Sequence, residues 1–221
     1  MNKIKLLFSV LFIAIAVNAS AQFGIGLKAG TASNSVTRSN GGRIDVTYHA
    51  KTGYDYGLKF TYQINDWFAM RADIEMMSRS HTMKRNLNAV KYIYTDYKNG
   101  YINLPIMADF SFGGEKLRGH LSAGGYISYW MTSKVKGRTM NIAEEFVPFD
   151  EKNAFNKYHN RLVAGVVAGP GISYDVTEKI TLQLDALIYY DMVSYMKIGE
   201  ISKDPRYNNT LSITLGATYK L

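Results

Sequence analysis

The sequence predicts an all-β chain: an eight-stranded antiparallel up-and-down transmembrane β-barrel with short periplasmic turns and long extracellular loops. Three observations predict it. Apolar residues recur at every second position in eight separate stretches, which is the period of a strand with one covered face. The connections between those stretches alternate between tight and long, as in barrels of the bacterial outer membrane. The N-terminus also has the layout of a secretory leader.

The leader comes first. In "MNKIKLLFSVLFIAIAVNASAQ", Lys3 and Lys5 precede an apolar run from Leu6 to Val17, and Ala19, Ser20 and Ala21 offer a small-residue cleavage site. Residues 1–21 are therefore expected to be a cleaved signal peptide and residues 22–221 the barrel. The apolar run is well short of the ~20 residues a membrane-spanning helix needs. The chain has no cysteine, which excludes a lipid-attachment thiol and a disulfide framework. Without Lys3 and Lys5, the mature part has 24 basic and 18 acidic residues, a net charge of +6. Seventeen tyrosines and nineteen glycines suit strands and turns, and no window carries a helical stripe.

The eight strands are expected at 22–32, 53–63, 67–77, 101–112, 119–131, 161–174, 180–190 and 209–221. "ITLQLDALIYY" shows the pattern most clearly, setting Ile180, Leu182, Leu184, Ala186, Ile188 and Tyr190 against Thr181, Gln183, Asp185, Leu187 and Tyr189. "IND", "GGEKLR" and "DVTEK" read as turns, whereas the stretches around 33–52, 78–100, 132–160 and 191–208 read as loops. An even strand count puts both termini at the short-turn, periplasmic end. The last strand, "NTLSITLGATYKL", can then pair with the first and abolish both sheet edges.

Alternation alone does not say which face is inside, and a soluble lipocalin-like carrier is the structural rival. The polar parity decides for a membrane barrel. It holds Lys28, Lys59, Arg71, Arg161 and Lys220 against Asp55, Asp73, Glu75, Asp109 and Asp185, five charges of each sign. Such balance suits a narrow lumen, because a buried charge without a partner costs several kcal/mol. Aromatic residues gather at both strand ends, with Phe23, Tyr62, Trp67, Phe68, Phe110, Phe112, Tyr174 and Tyr219 toward the turns. Tyr54, Tyr56, Tyr101, Tyr129, Trp130, Tyr189 and Tyr190 lie toward the loops, giving the two belts that bilayer interfaces select. Lipid would then cover the apolar face.

The chain resembles the PorT-like small outer-membrane β-barrel domain proteins of Bacteroidota. The residues that carry the resemblance are the "ASAQ" leader end, the proline-bearing "YINLPIMADFSF", the segment "GPGISYDVTEKITLQLDALIYYDM" and the closing "SITLGATYKL". The resemblance implies a barrel across the whole mature chain, and in a few relatives a part in protein secretion. The closing strand also resembles the terminal signal that barrel-assembly machinery reads, with Leu221 where many such strands end in an aromatic residue.

Catalytic and cofactor motifs are sparse. His49, His81, His120 and His159 show no metal-ligand spacing, so neither a metal nor a cofactor is expected. Ser80 beside His81 is the one neighbouring pair that would fit a lipid-modifying or proteolytic barrel, and it lacks an orienting third group in sequence. "FGIGLKAGTA" departs from a dinucleotide fingerprint, and no nucleic-acid partner is expected. An eight-stranded barrel leaves room only for its own side chains, which argues against a pore.

What remains is a structural or interaction barrel. Its second loop, "SRSHTMKRNLNAVKYIYTDYKNG", holds Arg79, Lys84, Arg85, Lys91 and Lys98 against a single Asp96. The strand-forming "AVKYIYTDY" implies a hairpin standing beyond the bilayer. Those five cations are the expected contacts for lipopolysaccharide, a surface glycan or an acidic protein partner.

Overall fold

A computed structural model describes residues 22–38, 45–86, 92–141, 145–197 and 205–221, so the expected leader lies outside the described residues. Among the described residues there is no helix, and ten strands run antiparallel. They are β1 (Gln22–Arg38), β2 (Val46–Asn65), β3 (Phe68–Ser78), β4 (His81–Asn86) and β5 (Tyr92–Gly113). The chain continues through β6 (Leu117–Met140), β7 (Phe146–Lys152), β8 (Leu162–Asp175), β9 (Ile180–Asp191) and β10 (Arg206–Lys220).

Eight of the ten close a ring. β1, β2, β3, β5, β6, β8, β9 and β10 pair in that order, and β10 returns to β1 along a register from Gly24 opposite Lys220 to Arg38 opposite Arg206. The other two extend it. β4 continues the line of β3 beyond Arg79 and Ser80, between β2 and β5, and β7 folds back on the upper half of β6.

Three connections are tight. The chain reverses at Asn65–Phe68, at Gly113–Leu117 and at Asp175–Ile180. Gly113 sits at φ +124°, a conformation open to glycine and costly for other residues. At the opposite end the strands overrun the expected boundaries. β6 has 24 residues, more than twice the ~10 that cross a hydrocarbon band about 25 Å tall at a ~40° tilt. β2 starts at Val46 instead of Gly53, and β5 at Tyr92 instead of Tyr101. The result is a sheet of β2, β4, β5, β6 and β7 that projects beyond the loop end of the ring.

The apolar parity faces outward. Leu182 is 41%, Leu184 48%, Ile213 47% and Leu215 61% exposed, which excludes a lipocalin-like interior for them. Phe23, Trp67, Phe110, Phe112, Tyr174 and Tyr219 ring the turn end, and Tyr54, Tyr56, Tyr129 and Tyr190 ring the other. Tyr101, Trp130 and Tyr189, expected in the upper belt, instead point into the lumen and are buried. Tyr101 shares parity with Asn103 and Met107, so its place in the lumen follows from the pleat.

Inside, the lumen is layered. Ala32, Met77, Met107, Tyr126, Val167, Leu187 and Tyr189 form an apolar cluster, and above it Tyr101, Trp130, Val163 and Tyr195 pack with Phe155 and Met196. Trp130 stacks on Tyr101 at 5.6 Å and meets Phe155 and Tyr195 edge-on. Crowding there explains Gly165, where a Cβ would lie 2.1 Å from the Tyr190 carbonyl oxygen and 2.7 Å from the Tyr126 hydroxyl.

Candidate functional site: a charged lumen beneath a basic sheet

β3 supplies the centre of the lumen. Its alternation sends Arg71, Asp73 and Glu75 inward, and all three are at most 2% exposed. The Arg71 guanidinium holds Asp73 at 2.7 Å and Asp185 of β9 at 3.1 Å. Lys59 of β2 donates to Asp185 at 2.8 Å and to Gln183 at 2.6 Å. Lys28 of β1 bridges Asp73 at 3.1 Å and Glu75. Ser212 donates to Asp55, and Asn103 to Glu75 at 3.2 Å. His120 completes the cluster at 2.7 Å from Asp185.

The remaining expected lumen charges sit elsewhere. Lys220 and Arg118 pair with Asp175 at the turn end, Lys220 at 2.9 Å. Asp109 is buried there with Oδ1 unpaired, and with Arg118, His120 and Lys220 it lines a cavity of about 230 Å³. Arg161 is a correction, because it precedes β8 and turns over the rim. There its Nε donates to the Trp130 carbonyl and its guanidinium covers Tyr129 and Phe155.

Arg79 is the second correction. Expected among the loop cations, it is fully buried and held 2.7 Å from Asp191, with Tyr101, Tyr126 and Tyr189 around its guanidinium at 5.0–5.9 Å. The odd parity of β3 simply continues through it. Among the described residues the buried cations are thus Lys28, Lys59, Arg71 and Arg79, against Asp55, Asp73, Glu75, Asp109, Asp185 and Asp191. Neutral donors such as Ser212, Asn103 and Asn208 serve the additional carboxylates, so the five-to-five balance does not describe the buried set.

Of the other loop cations, Lys91 lies outside the described residues. Arg85 pairs with Asp45 at 2.9 Å, on the sheet face opposite Lys84. Lys84 sits 4.2 Å over the Tyr92 ring, and Lys98 is exposed. The sequence reading missed several cations that share their outward face. A bulge at Met131 shifts the β5–β6 register, so that Trp130 and Ser133 face inward while Thr132, Lys134, Lys136 and Arg138 face outward. Lys152 of β7 lies opposite Lys134, and Lys51 reaches the outward Asp96 at 2.9 Å.

Two carboxylates on this face are partly neutralised by neighbours. Burial works against the Asp96 carboxylate, yet hydrogen bonds from Thr82 and Lys51 hold it below its ordinary range. A hydrogen bond from Lys136 lowers Asp150 likewise, at 2.8 Å. Among the described residues seven cations, Lys51, Lys84, Lys98, Lys134, Lys136, Arg138 and Lys152, stand against these two acids and leave the outward face strongly positive.

Ser80 and His81 do not form a catalytic pair among the described residues. The Ser80 hydroxyl bonds Ser78 at 2.9 Å and accepts from the Asn99 N–H, whereas the His81 ring stacks on Tyr97. Burial and nearby Arg206 push His81 down to about 3, too low for an effective base near neutrality. No group of three or more potential metal ligands occurs among the described residues.

A closed antiparallel ring, apolar outside and charged within, defines a transmembrane β-barrel. The outer membrane protein beta-barrel domain matches residues 17–190, and the chain belongs to that family of outer-membrane proteins. No curated protein matches the sequence. Among solved structures, the outer membrane protease OmpT from Escherichia coli is similar at TM-score 0.52 and 10% identity, covering 90% of this chain and 97% of that one. A major outer membrane protein from Thermus thermophilus gives TM-score 0.51 and 10% identity, covering 91% and 100%. Neisserial surface protein A gives 0.43 and 16%, covering 91% and 99%. At these identities the likeness to the first two is one of fold.

Proposed function

We propose that this outer-membrane barrel is a structural and interaction protein whose projecting sheet contacts anionic groups at the cell surface: lipopolysaccharide, a surface glycan or an acidic protein partner. One observation carries the reading, the seven-to-two excess of cations on the outward face of that sheet. Orientation belongs to the same proposal, with the short turns and both termini periplasmic and the sheet outside. So does insertion through the barrel-assembly machinery, for which the closing strand is the signal. Kinship with PorT-like barrels, and with it a place beside protein secretion, rests on the quoted strand segments.

The alternative of a lipid-modifying enzyme finds little support in a buried Ser80 and a His81 that do not meet. The test is binding of purified lipopolysaccharide and of a soluble anionic glycan at low and moderate salt. The Lys84→Gln, Lys136→Gln, Arg138→Gln variant is expected to bind both more weakly than wild type, with the gap narrowing as salt screens it. Equal binding at both salts would remove the sheet from the proposal.

A further inference from the structure

Three lysines stand side by side on that outward face. Lys98 of β5 is directly opposite Lys134 of β6, and Lys134 directly opposite Lys152 of β7. Directly opposed residues bring their Cβ atoms to about 5 Å, and like charges so placed destabilise a sheet. The rung above differs: Asp96, Lys136 and Asp150 alternate in sign, and Lys136 bonds Asp150. Among the described residues no carboxylate lies within ion-pair distance of Lys98 or Lys152. Lys134 has only Asp150, at 3.8 Å. A fold that alternates charge on one rung and stacks three like charges on the next leaves the second rung short of an anion.

Height identifies the anion. β5 carries no bulge, so Lys98 shares its face with the lipid-facing Leu104 and Ile106. The Tyr54 hydroxyl, in the upper aromatic belt, lies over Gly100, where a Cβ would meet it at 3.1 Å. Lys98 is two residues farther along the same face, about 7 Å at ~3.3 Å per residue. Belt tyrosines sit at the headgroup level of a bilayer, so the rung stands where the phosphates of the facing leaflet lie. A flexible four-carbon stem ending in a compact ammonium suits a phosphate approached from the side.

We infer that the Lys98–Lys134–Lys152 rung is a binding site for the phosphate groups of outer-leaflet glycolipid. The inference rests on the proposed contact with anionic groups and assigns it to one rung and one source, membrane lipid. The barrel is reconstituted in phosphatidylcholine nanodiscs holding either diphosphorylated or dephosphorylated lipid A, and the lipid retained on release is counted by native mass spectrometry. Dextran sulfate binding is measured in parallel, and folding is checked by circular dichroism and heat-modifiable migration.

Wild type is expected to retain the diphosphorylated form preferentially. The Lys98→Gln, Lys134→Gln, Lys152→Gln variant is expected to lose that preference by on the order of tenfold or more, at about fivefold for each lysine near an anionic surface. The corresponding triple arginine variant keeps it. A wild type with no preference, or a folded glutamine variant with an unchanged one, overturns the assignment. Dextran sulfate binding that persists in either case leaves the broader reading standing, and a wild type that shows neither the lipid preference nor dextran sulfate binding removes both.

Discussion

The lumen and the projecting sheet treat charge in opposite ways. Among the described residues every buried cation of the lumen has a carboxylate within 3.1 Å, and three of the six buried carboxylates, Asp55, Glu75 and Asp191, also accept from neutral donors. On the outward face of the sheet, cations crowd one another, and among the described residues two of the three rung lysines have no carboxylate at ion-pair distance, Asp96 and Asp150 acting on them only from the next rung. The difference follows solvent. A charge in a dry interior is tolerated only with a partner, while one in water costs little and stays available to a mobile anion. The lumen charges therefore hold the molecule together, and the sheet charges are the ones left open to its surroundings.

The largest expected effect comes from breaking the lumen side. Arg71→Leu strips Asp73 and Asp185 of a shared partner and should cost about 3–5 kcal/mol, seen as a fall of roughly 10 °C in the melting temperature in detergent. An unchanged melting temperature would show that water reaches the pairs and that the two regions do not differ. On the sheet, Lys51→Gln removes a partly exposed pair with Asp96 and should cost about 0–1 kcal/mol, an effect that shrinks in added salt. A loss as large as that of Arg71 would place this pair in the lumen's class. The smallest change has the opposite sign. Lys152→Gln relieves one like-charge contact and should raise stability by ~0.2–1 kcal/mol in lipid-free, zwitterionic detergent. A destabilised variant would mean that Lys152 already has a partner there.

Much of the ring was legible, because one face of every strand meets lipid and the period of two survives the whole crossing. The same parity placed Arg71, Asp73 and Glu75 on one side. Arg79 was missed by ending the third strand at Met77; carrying the odd positions one step farther reaches it. Arg161 has lumen parity but no longer has strand geometry, and parity says nothing once the chain leaves the sheet. The basic rung was beyond single-strand reading. It depends on which residues of three strands lie abreast, and on one extra residue at Met131 that exchanges inside for outside. Counted from Trp130 by twos, Lys134, Lys136 and Arg138 would fall in the lumen.

The pairing of β1 with β10 has a kinetic consequence. These strands are as far apart along the chain as any two in the ring, so bringing them together is its costliest loop closure. Until β10 is in place, β1 and β9 each present an open row of backbone donors and acceptors that lipid cannot satisfy. A partly built ring is thus a poor resting state, and insertion should complete in one cooperative step, with fifteen residue pairs along the β1–β10 seam forming last.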